Sequence, residues 1–250
     1  MPFAEPLTNP LSWPPRLYLL ESDEPMKFSG LQKISLIDYP HKVASVLYTP
    51  GCNLRCPFCH NWRIAVEPKP PFLQENAALE ILESRKKYVD AVVVTGGEPT
   101  MHKELPKFLA KLKARGFLVK LDTNGFYPEV LEECLAHVDY VALDVKTSLD
   151  KYKQLGAKDT TGLMRTMEIL KTGKVPCEFR TTVVPELVTA EDVTRIGEFV
   201  KGAKTHAFQQ FVPNDTLDKR FEALKPYAPE KIAEFAETMK KYADNVIMRT

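Results

Sequence analysis

The chain has no excess of either charge. Thirty-four Lys and Arg stand against thirty-three Asp and Glu, a net charge of +1. That balance leaves no basic field for nucleic acid or for anionic lipid. Apolar residues make up 44% and charged residues 27% of the 250, an ordinary globular mixture. No apolar run approaches the length needed to cross a bilayer, and no signal-peptide core stands near the start. There is no internal repeat, no low-complexity block and no pattern that marks a second domain. Cysteine is scarce and odd in number, five in all. That count speaks against a closed disulfide framework and for a reducing, cytoplasmic setting.

Three of those five cysteines are crowded together. Residues 51–61 read Gly-Cys-Asn-Leu-Arg-Cys-Pro-Phe-Cys-His-Asn, directly after a short apolar run at 43–48. Cys52, Cys56 and Cys59 are spaced C-x3-C-x2-C, and three thiols at the mouth of a strand suit an iron–sulfur cluster or zinc. The fourth ligand is missing. A structural zinc site closes with four protein ligands, and a cubane cluster normally takes four cysteines, so three leave one metal position open. The spacing also admits a zinc knuckle completed by His60 or by the distant Cys177. Cys134 and Cys177 stand alone in helix and strand patterns and are expected to be small buried apolar residues. His60 is placed either to tune a neighbouring metal group or to cap the following turn. His41, His102, His137 and His206 have no partner pattern, and Trp62 is expected to pack over the loop.

The rest of the chain sets the fold. Residues 1–25 hold six prolines, so 1–27 is expected to be an extended tail. Met26, a conceivable alternative start, opens the denser segment 27–42. Leu31, Ile34, Leu36 and Ile37 suggest an edge strand or hairpin leading into 43–48. Strands are then expected at 91–95, 117–121, 140–145, 178–184 and 207–212, with 246–248 closing the sheet. Helical spacing separates them: Ala78, Ile81, Leu82 and Val89; Leu105, Phe108, Leu109 and Leu112; 130–136; 160–171; Val193, Ile196 and Val200; and Ile232, Phe235, Ala236 and Met239. Thr189 with Asp192 resembles a capping box, and Gly116 and Pro229 mark a helix end and a helix start. About six alternating units imply a parallel sheet with right-handed crossovers. Six units, at a length that barrels commonly fill, give an α/β fold of the partial (β/α)6 barrel kind, with its chemistry at the carboxyl ends of the strands.

Unusual polar residues fall at those ends. The strand at 91–95 runs into Gly96-Gly97-Glu98-Pro99-Thr100, and the next into Asp122-Thr123-Asn124-Gly125. Asp144 and Lys146 share a strand face by alternation, and Arg180, between Phe179 and Thr181, can point inward. Taken singly, a Gly-Gly pair is a turn and an Asp–Lys pair is a weak surface ion pair.

Taken together, these segments resemble the radical S-adenosylmethionine superfamily, over residues 28–250. The resemblance implies that Cys52, Cys56 and Cys59 hold a [4Fe–4S] cluster whose open iron chelates S-adenosylmethionine, with Phe58 the usual aromatic residue before the third cysteine. Gly96, Gly97 and Glu98 look like the motif that binds the amino group of that ligand. Leu-Asp-Thr-Asn-Gly-Phe at 121–126 and Leu-Asp-Val-Lys at 143–146 are similar to segments of pyruvate formate-lyase activating enzyme and other glycyl-radical-enzyme activases. In that group Thr123, Asp144, Lys146 and Arg180 would join His60 around S-adenosylmethionine, and Asp122, Thr123 and Asp144 would bind a monovalent cation. Gly30-Leu31-Gln32-Lys33 with Leu36-Ile37-Asp38-Tyr39-Pro40 looks most like the longer activating proteins of anaerobic ribonucleoside-triphosphate reductase. The implied activity is reductive cleavage of S-adenosylmethionine to methionine and a 5′-deoxyadenosyl radical, which takes hydrogen from a glycine of a partner enzyme. The expected partners are the catalytic subunit of an anaerobic ribonucleotide reductase and a flavodoxin- or ferredoxin-like electron donor. One position departs from the activase pattern: Asp215 stands two residues after Pro213, where a ligand-touching histidine is usual. Two rival readings stay open. One is radical chemistry on a small molecule or peptide, although two spare cysteines are too few for a cysteine-rich auxiliary-cluster domain. The other is a non-catalytic zinc-binding interaction module.

Overall fold

The structure, a computed structural model, describes residues 24–250. Up to residue 23 the expected Pro-rich tail lies outside the described residues. The packed region begins two residues before the expected boundary: Met26 is 2% exposed, and its backbone N–H donates to Glu75 Oε2 at 2.9 Å.

The chain opens with β1 (Lys27–Phe28), β2 (Gly30–Ser35) and β3 (Ala44–Thr49), followed by the single-turn helix α1 (Trp62–Ala65) and β4 (Leu73–Gln74). Alternation then takes over with α2 (Glu75–Arg85), β5 (Ala91–Gly96), α3 (Leu105–Ala114), β6 (Leu118–Thr123), α4 (Pro128–Cys134) and β7 (Tyr140–Asp144). It continues through α5 (Thr161–Lys171), β8 (Cys177–Val183), α6 (Ala190–Val200), β9 (Ala203–Gln210), α7 (Pro229–Met239) and β10 (Ala243–Arg249). The main sheet has the order β10-β9-β8-β7-β6-β5-β3-β2, and β1 pairs with β4 in a small second sheet. Among the described residues only β2 runs antiparallel in the main sheet. The other pairings are parallel, as a helix between successive strands requires.

The six-unit expectation holds from β3 to β9, and β10 adds a further parallel strand. Several boundaries moved and one element was not expected. The last expected unit starts at Ala203 rather than at 207. The first long helix ends at Arg85, so Val89 covers the core from the turn beyond it. The seven residues Leu149–Leu155 form a 3-10 helix that the apolar pattern did not reveal. The capping box at Thr189 and Asp192 is complete. Gly116 takes φ +79° just past the end of α3, where its missing side chain removes the steric cost.

Strand alternation divides the apolar residues into two sets. Val92, Val94, Leu121, Leu143, Phe179 and Phe208 face the helices and meet Leu82, Phe108, Met167, Ile196 and Phe235 in the large core. Ala44, Val46, Ala91 and Val93 face the other way and pack with Tyr39, Tyr48, Leu118 and Tyr140. Tyr39, just before β3, lies 6.1 Å from Tyr140 of β7. In a flat sheet the three strand steps between β3 and β7 would span about 14 Å. The sheet is therefore curled, its concave face narrow and closed below by tyrosines. Above those rings the concave face turns polar.

Candidate active site

The carboxyl ends of β3, β5, β6, β7 and β8 surround one cleft of about 1040 Å³, open mouth included. Its walls carry Cys52, Cys56 and Cys59 on one side and Asp122, Asp144, Lys146 and Arg180 on the other. The sequence-expected residues Phe58, His60, Gly96, Gly97, Glu98 and Thr123 all line it as well.

The cysteine loop is held from several sides. Gly51 N–H donates to Ile64 O at 2.8 Å and Cys59 N–H to Cys56 O at 3.1 Å. Arg55 N–H reaches Leu155 O at 2.7 Å, and the Arg55 guanidinium bridges the carbonyls of Cys52 and Leu54 at 2.7 and 2.8 Å. His102 Nε2 sits 2.9 Å from Pro50 O, and burial keeps that imidazole below its ordinary pKa. The Gly-Gly turn serves the same loop. A Cβ on Gly97 would lie 1.8 Å from Gly51 O, and one on Gly96 would lie 2.3 Å from Thr49 N. The close approach these glycines permit is therefore to the strand end that bears the cysteines.

All three thiols are free, as are those of Cys134 and Cys177. Burial pushes Cys52 up to about 11 and Cys56 up to about 12, and raises Cys59, while the Lys146 charge pulls each of them back. Thiols so placed keep their protons unless a metal group takes them, and thiolate binding to metal releases those protons. A fourth protein ligand is not at hand. The His60 imidazole is exposed, with Nε2 2.8 Å from the Val212 carbonyl. Cys177 opens β8 at the far end from the cleft, its thiol against Leu170 O. Among the described residues no three His, Cys, Asp or Glu side chains converge as ligands of a single ion. Three free thiols lining one cleft are the donor set that a cluster bound by three cysteines needs. Asn124, which sequence reasoning left out of the site, donates to Cys52 Sγ at 3.7 Å and to Asn53 Oδ1 at 2.7 Å.

Glu98 and Thr123 are joined in one knot of hydrogen bonds. Glu98 is 1% exposed and accepts from Thr100 N and Thr123 Oγ1 at 3.0 and 2.6 Å, from Thr100 Oγ1, and from Asn124 N at 2.7 Å. Burial raises this carboxyl and the four donors pull it back. These bonds tie the end of β5 to the end of β6. Thr123 Oγ1 is committed to the same knot.

The opposite wall is a ladder of charges. Lys120 Nζ lies 2.7 Å from Asp122 Oδ1, and Asp122 Oδ2 lies 3.0 Å from the Arg180 guanidinium. Arg180 Nε then meets Asp144 Oδ1 at 2.8 Å, and Asp144 Oδ2 meets Lys146 Nζ at 3.2 Å. Burial alone would raise Asp144, but Arg180 and Lys146 outweigh it and hold the carboxyl well below the usual range. Burial works against the Lys146 and Arg180 cations too, and the neighbouring aspartates hold both above their ordinary values. The buried Tyr152 hydroxyl accepts from Lys146 N–H at 2.9 Å, which fixes the end of this wall. The Arg180 guanidinium stands between Asp122 and Asp144. Asp215 is not in the cleft. It takes φ +49° and turns to Trp62 Nε1 at 3.4 Å and to the Arg63 guanidinium.

Three free thiols and a charged wall at the carboxyl ends of a curled parallel sheet define a metallocluster enzyme of the partial-barrel class. The profile of the radical SAM superfamily matches residues 46–200. The chain is 38% identical over 231 residues to a Methanocaldococcus jannaschii protein provisionally named a glycyl-radical enzyme activating enzyme, covering 89% of this chain and 95% of that one. It is 32% identical over 188 residues to the pyruvate formate-lyase-activating enzyme of Staphylococcus aureus, covering 68% and 74%. Among solved structures, QueE from Escherichia coli shares the fold at a TM-score of 0.58 and 16% identity, covering 90% and 94%. The chain belongs to the radical SAM superfamily, whose members use a [4Fe–4S] cluster and S-adenosylmethionine, and it is an enzyme of the glycyl-radical activating kind. No helix among the described residues is long and apolar enough to cross a membrane.

Proposed function

We propose that this chain cleaves S-adenosylmethionine reductively and takes a hydrogen atom from a backbone glycine of a glycyl-radical enzyme, and that this partner is the catalytic subunit of an anaerobic ribonucleotide reductase. The observation that carries the reading is the pairing of three free cysteines with the Asp122–Arg180–Asp144–Lys146 wall across one cleft. Cys52, Cys56 and Cys59 would hold the cluster. When bound, the cluster supplies the electron for the cleavage and an open iron for the amino acid end of the ligand. Lys146 and Arg180, held as cations by their aspartates, favour an anionic carboxylate beside them. Phe58 offers an apolar wall, and the Gly96-Gly97 turn fixes the distance between the cysteine loop and β5. The narrow concave face, plugged by Tyr39 and Tyr140, keeps bulk water from the reacting carbon. The likeness of Gly30–Lys33 and of residues 36–40 to the longer reductase activating proteins supports the choice of partner, and a flavodoxin- or ferredoxin-like protein would supply the electron.

The sheet's two edges, β2 and β10, do not pair with each other. That open side suits a substrate which brings its own backbone and seals the site, as an extended loop of a partner does. The test uses anaerobically reconstituted protein, a reductant and the reductase subunit labelled with deuterium at the glycine Cα. Deuterium should pass into 5′-deoxyadenosine. Cleavage that proceeds with the partner present and never carries label would refute the activase reading.

A further inference from the structure

One strand step beneath Asp122 lies a buried lysine that the fold alone does not require. Lys120 sits in the middle of β6 between Val119 and Leu121, 2% exposed, with its ammonium on Asp122 Oδ1. An apolar side chain would fill an interior strand position without the desolvation cost of a charge. The ladder that begins at Lys120 engages all four oxygens of Asp122 and Asp144 with N–H donors of the chain itself. It holds three cations, Lys120, Arg180 and Lys146, against two anions, so 3 − 2 leaves a net +1. Thr123 Oγ1, the remaining oxygen of the expected cation trio, donates to Glu98 Oε1 at 2.6 Å.

We propose that Lys120 is the built-in counter-ion of this site and stands in for the monovalent metal cation that Asp122, Thr123 and Asp144 would otherwise bind. The proposal rests on the reading that S-adenosylmethionine lies against this wall. Potassium or sodium binds through oxygen ligands, and here each carboxylate oxygen already accepts a charge-assisted hydrogen bond. A further cation would add to a ladder that already holds one cation more than it holds anions, and like charges repel. Lys120 neutralises Asp122 from below and leaves Arg180 free to bridge the two aspartates. Because Lys120 and Asp122 are two residues apart on one strand, the pleat keeps the ammonium in place. No ion has to be recruited from solution.

The test is equilibrium dialysis of radiolabelled S-adenosylmethionine against the reconstituted holoprotein. Potassium, sodium or tetramethylammonium is the only monovalent cation, at constant ionic strength. The wild-type Kd should agree within about twofold across the three buffers. A Kd weaker by about tenfold or more in tetramethylammonium overturns the proposal. Lys120→Met should bind about tenfold or more weakly in tetramethylammonium and recover in potassium, as the metal ion takes the vacated place. A Lys120→Met protein that binds as wild type does in every buffer overturns it as well. Should Lys120→Met fail to fold, Lys120→Arg, which keeps the charge, must remain cation-independent alongside the wild type. No binding by the wild type in any buffer removes the ligand reading itself, and this inference with it.

Discussion

The two faces of the sheet treat polar groups differently. On the concave face Lys120, Asp122, Asp144, Lys146 and Arg180 sit in a narrow space, each with a partner of opposite sign, and Glu178 on the same face pairs with Arg249. On the helix-facing side the residues are apolar with few exceptions, and one of those, His206 of β9, has no hydrogen-bond partner for either ring nitrogen. Buried charge is tolerable only when it is paired, so the concave face is built as a unit and its members should fail together. A lone buried imidazole is tolerable only as the neutral form. The lesson is that burial here has two meanings, preorganisation on one face and plain packing on the other.

Cysteine occurs on both sides of this divide, and the largest contrast is expected there. Cys52→Ala, Cys56→Ala or Cys59→Ala should each abolish cluster binding and S-adenosylmethionine cleavage. Cys134→Ala and Cys177→Ala, in the helix-facing layer, should retain both. Iron and sulfide analysis of anaerobically purified protein reads the difference, and loss of the cluster in Cys177→Ala would restore a four-thiolate site.

Glycine gives the next contrast. Gly97→Ala places a Cβ against the Gly51 carbonyl, whereas Gly116→Ala meets nothing within 4 Å and strains only its φ of +79°. The first should displace the cysteine loop and lower iron content severely. The second should keep a full cluster and lose about 1–2 kcal/mol of stability. Equal iron content in the two variants would show that the β5 turn does not position the loop.

Arg180→Met tests the ladder directly. It removes the cation between the buried Asp122 and the part-buried Asp144, which leaves two carboxylates facing each other. A loss of about 3–5 kcal/mol in denaturant unfolding is expected, together with loss of S-adenosylmethionine binding. A stability change below about 1 kcal/mol would mean that the ladder is solvated like a surface ion pair.

Much of this was legible in the chain because it is local. The C-x3-C-x2-C loop, the alternation of strands and helices, and the inward aim of Arg180 all follow from spacings of a few residues. Less legible was what depends on pairing across strands. Arg180 of β8 reaches Asp122 of β6 over the intervening β7, and no sequence distance announces that contact. Gly96-Gly97-Glu98 was legible as a motif, but the four donors to Glu98 come from positions 100, 123 and 124, which only the β5–β6 pairing brings together. Asp215 was aligned with a ligand-touching histidine, but its left-handed backbone turns it to Arg63. Lys120 did carry a signal that went unread: a lysine in an apolar strand, two residues before an aspartate at the strand end, belongs on the concave face.

The smallest expected effect concerns His206, and its sign follows from linkage. The side chain is 0% exposed and packs edge-on to Phe208 at 4.8 Å. Register places it opposite Phe179 and Val246, and no titratable neighbour contributes to its shift. Burial alone pushes its pKa down from 6.5 to about 3. The unfolded chain therefore binds a proton between those two values that the folded chain does not, and stability falls as pH drops from about 6.5 toward 3. Between pH 7 and pH 5 this one group should remove about 2 kcal/mol. His206→Leu abolishes that loss and also removes two unpaired polar atoms, so at pH 7 it should be neutral or more stable by about 1 kcal/mol. Urea unfolding at the two pH values reads both effects, with the difference between variant and wild type growing toward acid. An identical pH dependence in the two proteins would show that His206 finds a partner or water in solution, and the contrast between the two faces would then weaken at that position.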